Sequence, residues 1–109
     1  MVVEGDPVTP ELSDLAQTWE RFVLGLRRRD GLDADALNAL KEALGACAAA
    51  WAGRDSIPRL GANILVDIVP ATDSNSHLYE GEVQQQIIEV MYELQDLVWD
   101  CVAIHEPFK

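Results

Sequence analysis

The sequence is poor in cations, with 8 Lys and Arg against 19 Asp and Glu and a net charge of −11. Nucleic-acid binding needs clustered Lys and Arg to displace counterions from phosphates, so the charge predicts no nucleic-acid partner. The only basic run is Arg27-Arg28-Arg29, placed where a helix should end and where cations complement the helix dipole. No stretch approaches the ~18 consecutive apolar residues of a membrane span, which predicts no membrane partner. The first residues, Met1-Val2-Val3-Glu4-Gly5-Asp6, are acidic and short of apolar residues. They do not resemble a signal peptide, and a cytoplasmic protein is the expectation. The two cysteines, Cys47 and Cys101, form no Cys-x-x-Cys or Cys/His pattern with metal spacing. Both fall on apolar helix faces and read as small buried hydrophobes. Gly-rich phosphate cradles are lacking. So is the Gly-x-Ser-x-Gly elbow that would make a catalytic set of Ser74, Ser76, His77 and Tyr79, or of His105 and Glu106. Asp30, Asp33 and Asp35 lack the spacing and central glycine of a calcium loop.

What is present is apolar residue at helical spacing. With 49% hydrophobic residues in 109, the chain has enough for one core, and disorder is not expected despite the charge. Residues 1–8 read as a tail, 9–106 as one helical domain and 107–109 as a second tail. Thr9-Pro10-Glu11 is a helix start, with a hydroxyl cap, a proline at the first helical position and an acid in the first turn. Leu12, Leu15, Ala16, Trp19, Phe22, Val23 and Leu26 then share one face up to about Arg29. Leu24 lies off that stripe and is a candidate for contact outside the core. A second helix, capped by Asp33 or Asp35, runs to about Ala52 on Ala36, Leu37, Leu40, Ala43, Leu44, Cys47 and Trp51. Its other face carries Gly45, Ala49 and Gly53, which suggests close packing on a second side. A third segment, Ile57 to Val69, starts at a Ser56 cap with Pro58 in its first turn. Residues 64–69 also fit a strand, but no partner strand offers itself, so helix is preferred and is expected to be the most buried element. Residues 70–76 read as a loop. The last helix begins between His77 and Glu82 and runs to about Ile104, with Val83, Ile87, Val90, Leu94, Leu97 and Cys101 as its inner line. The predicted fold is all-α, an antiparallel four-helix bundle.

Two surfaces of the last helix stand out. Glu89, Glu93, Asp96 and Asp100 fall within an arc of roughly 60°, opposite the inner line. Bundle metal sites use inward-facing acids from several helices, often with a Glu-x-x-His pair, and no Glu-x-x-His occurs here. Glu93-Leu94-Gln95-Asp96-Leu97-Val98-Trp99 resembles the second acidic motif of the all-α, MazG-like nucleotide pyrophosphohydrolases. That resemblance implies magnesium as cofactor, with Glu93 and Asp96 as metal ligands facing inward or into a dimer cleft. It covers under a tenth of the chain. The family's first motif, Glu-Glu-x-x-Glu on an earlier helix, has no counterpart, because the second helix offers only Glu42.

The other surface is aromatic. Tyr92 and Trp99 lie seven apart on one flank, with Ile88 nearby. Such residues either pack at a core's edge or anchor a partner. With Leu24 they form the candidate protein interface. The preferred expectation is a non-enzymatic, protein-binding domain of adaptor, regulator or inhibitor type. Its partner would be a basic protein or, as a homodimer or larger homo-oligomer, a further copy of the chain. The magnesium-dependent pyrophosphohydrolase is the alternative.

Overall fold

The computed structural model describes residues 8–104. They form four α-helices, α1 (Pro10–Arg27), α2 (Ala34–Trp51), α3 (Arg59–Ser76) and α4 (Gly81–Val102), with no strand among the described residues. The expected four-helix bundle is the fold adopted. The tails expected at 1–8 and 107–109 lie, Val8 apart, outside the described residues.

Helix α1 starts where its sequence dictates, from an extended Thr9 into Pro10, but the Thr9 hydroxyl does not make the expected capping bond. It stops two residues before Arg29, which takes a left-handed φ of 62°. There the amide of Asp30 donates to the carbonyl of Gly25 and that of Arg29 to Leu26, the pair of bonds that closes a helix C-terminus. Asp33, and not Asp35, caps α2 by accepting from the amide of Ala36 at 3.1 Å. That bond, ahead of the Arg21 guanidinium 3.5 Å away, holds the Asp33 carboxyl below its ordinary range.

Helix α3 departs most from expectation. It begins at Arg59, because Ile57 precedes a proline and Pro58 itself is extended. Ser56 therefore caps nothing. It then continues through Pro70 to Ser76, turning the expected loop into about two helical turns. An internal proline forfeits the bond to the carbonyl four residues back, which here belongs to Val66. Pro70 is exposed and Val66 is 72% exposed, so the loss falls on the side facing water. On the other side Ala71, Thr72, Asn75 and Ser76 are buried, and that burial carries the helix past the proline. The hydroxyls of Thr72 and Ser76 are satisfied locally, donating to the carbonyls of Ile68 (2.7 Å) and Asp73 (2.6 Å). With eight buried residues α3 has more than any other helix, as expected, although Leu60 and Val66 are 46% and 72% exposed.

Helix α1 packs on α2 and α3, and α4 packs on the same two; the pairs α1/α4 and α2/α3 sit on the diagonals. Each end of the bundle has a tie. At one end Tyr79, in the short link 77–80, donates its hydroxyl to the carbonyl of Leu26 at 2.8 Å. The same oxygen accepts from the amide of Gly31 at 3.1 Å. Gly31 holds φ +90°, a conformation that suits glycine. One phenol thus joins the α3–α4 link to the end of α1 and to the α1–α2 link. At the other end the Trp51 ring reaches across the diagonal to Gly61, where a Cβ would lie 2.6 Å from its Cη2 and 3.5 Å from Leu12.

The expectation of close packing at Gly45 is overturned. Gly45, Ala49 and Gly53 are all exposed, and a Cβ at Gly45 would meet nothing within 4 Å. The glycine that close packing requires is Gly61, beneath the Trp51 side chain. Two opposite results follow, readable in urea titrations. Gly61→Ala forces a rigid indole to move and costs about 1–3 kcal/mol. Gly45→Ala relieves a helix-interior glycine in open space and adds about 0.5–1 kcal/mol. Tyr79→Phe leaves the Gly31 amide without its acceptor and costs about 1 kcal/mol in the same titrations.

Candidate interaction surface

Helix α4 turns Ile87, Val90, Met91, Leu94 and Cys101 inward. Val83, expected on that line, is 39% exposed. Two contacts fix the side that meets α2. The Cys101 thiol donates to the carbonyl of Leu44 at 3.4 Å, and the Lys41 ammonium pairs with Glu93. Since α4 has only α2 and α3 as helical neighbours, α3 takes the other side, next to the flank of Ile88, Tyr92 and Trp99.

That flank is open. Tyr92 is 59% and Trp99 64% exposed, and Ile88 is half-buried beside them. The other two tryptophans are core residues, Trp19 8% and Trp51 3% exposed. Antiparallel pairing across a four-residue link, at ~1.5 Å rise per residue, brings exposed Val66 of α3 to about the height of Tyr92. Sequence reading missed Val66, having read the third segment only as the most buried element. The signal was there, since Val66 lies well off the line of Ile64 and Ile68. Leu24 is half-buried on α1, across the diagonal from α4, so the structure does not bring it together with Ile88, Tyr92 and Trp99.

Glu89, Glu93, Asp96 and Asp100 are all exposed on the outer face of α4. Glu93 and Asp96 thus face out of this chain, not into it, and the carboxylate of Glu93 is engaged by Lys41. Glu42 is likewise exposed. No three His, Cys, Asp or Glu side chains among the described residues are grouped to hold a metal ion. His77 and Ser74 are exposed, whereas Ser76 and Tyr79 spend their hydroxyls on backbone carbonyls. His105 and Glu106 lie outside the described residues. Among the described residues no helix is long and apolar enough to cross a membrane.

Compared with protein-family models, with curated proteins and with solved structures, the chain matches none.

Both cysteines are free and buried. Burial, and secondarily the neighbouring Cys101, pushes the Cys47 thiol up to about 12. Burial, with nearby Asp100, pushes Cys101 to about 11. An unfolded thiol titrates near about 8.5. Their contribution to stability is therefore complete below that pH and is lost as the pH rises through 11 to 12. At pH 8 a disulfide reagent should find no thiol in the native protein and two in urea. Rapid native labelling would contradict this burial.

Proposed function

We propose that this chain is a small, acidic, non-enzymatic domain of the cytoplasm that works by binding another protein, as adaptors, regulators and inhibitors do. The contact surface is the outer flank of α4, with Trp99 and Tyr92 as anchors and Ile88 at their base. One observation carries the reading: Trp99 is 64% exposed and Tyr92 59%, about two turns apart on one flank of a helix that buries Ile87, Val90, Met91, Leu94 and Cys101 without them. Tryptophan and tyrosine recur as interface hot spots because they bury a large area at little entropic cost. Leaving two such rings in water has no benefit for an isolated bundle. Solvated acids along one edge suit a polar rim around a desolvated centre.

Trp99→Ala, checked for unchanged circular dichroism and melting temperature, is the test. Light scattering gives the mass of the chain, and affinity capture from the source lysate gives its partners. The expected result is loss of a specific partner or of an oligomer, with affinity falling roughly tenfold or more. Unchanged mass and unchanged capture would rule this surface out.

A further inference from the structure

We propose that the outer face of α4 takes a basic amphipathic helix, and not a second copy of this chain. The inference rests on the protein-binding reading above and names the chemistry of the partner. Ile88, Tyr92 and Trp99 recur at spacings of four and seven, a stripe about 16 Å long at ~1.5 Å per residue. That is the footprint of three turns of a partner helix lying in a groove. Glu89, Asp96 and Asp100 run beside the stripe for the same length, and all three are exposed. The ion pairs found among the described residues, Lys41–Glu93 and Arg21–Asp33, neutralise none of them. They belong to a chain of net charge −11.

This edge decides between occupants. In a symmetric dimer the same patch meets itself, which would bring two rows of carboxylates together, and like charges across an interface are costly. A phosphate backbone or an anionic lipid surface meets the same repulsion. A helix with an apolar seam and Lys or Arg along its flank fits both features. Its seam covers the rings while its cations meet Glu89, Asp96 and Asp100. A guanidinium can also lie over the face of Trp99.

Two synthetic amphipathic helices with the same leucine seam, one flanked by lysine and one by glutamate, are titrated against the full chain by calorimetry. The lysine helix is expected to bind, the glutamate helix not. Raising the salt should weaken the lysine helix by roughly tenfold or more. Trp99→Ala should weaken it by a similar factor, and Trp99→Phe should restore most of the loss. Asp96→Asn combined with Asp100→Asn should flatten the salt dependence while leaving the fold intact by circular dichroism. Equal binding of both helices, or lysine-helix binding indifferent to Trp99→Ala, would overturn the assignment. So would no binding of the lysine helix at low salt. If that last result came with a dimer that Trp99→Ala dissociates, the basic partner would fall while the protein-binding reading stood.

Discussion

Helix α4 has two helical neighbours, and both lie on one half of its circumference. That constraint sets everything seen on its surface. Burying Ile87, Val90, Leu94 and Cys101 between α2 and α3 fixes the rotation of the helix about its axis. A helix repeats every 3.6 residues, so the fixed rotation leaves Tyr92 and Trp99 on one outer flank and four carboxylates on the next. The Lys41–Glu93 pair and the Cys101 contact with Leu44 are consequences of the same rotation, seen from the α2 side. Exposed ion pairs of this kind contribute little to stability. Apolar burial supplies the driving force, and the pair marks the register it produces.

The ends of the bundle are organised differently from its length. Along the helices, packing is generic apolar contact at three- and four-residue spacing. At the ends, single groups do specific work. The Tyr79 hydroxyl closes the last turn of α1 and satisfies a glycine amide in the next link. Trp51 bridges a diagonal that the helices themselves do not span, and only a residue without a Cβ fits beneath its ring. These ties also suit the connectivity. Because α2 and α3 are not packed neighbours, the link between them must cross the molecule, and the Trp51–Gly61 contact fastens that crossing.

Much of this was legible in the sequence. Helical periodicity located α1, α2 and α4 and nearly all of their buried residues, because a one-sided apolar stripe has few other uses. It also placed the acids outward and set Tyr92 and Trp99 at the edge of the core. The misreadings share a cause. Pro70 reads as a terminator, and it takes the burial of Ala71, Thr72, Asn75 and Ser76, with serine and threonine bonding back to their own helix, to carry α3 through it. Composition around Gly45 suggests close packing, yet proximity belongs to Gly61, because a distant tryptophan decides it. Leu24 and Tyr92 look alike on a helical wheel, and only the bundle's arrangement shows that they lie on helices at opposite ends of one diagonal. Each case depends on packing between helices, which local pattern does not encode.

The functional reading stands on the outward rotation of α4, and solvent accessibility of its aromatic rings tests that rotation most directly. Hydroxyl-radical footprinting with mass spectrometry, at concentrations where light scattering shows a monomer, reads every ring at once. The account predicts fast oxidation of Trp99 and Tyr92, with Trp19 and Trp51 protected until the chain unfolds. Protection of Trp99 in the folded monomer, or oxidation of Trp51 as fast as that of Trp99, would contradict it.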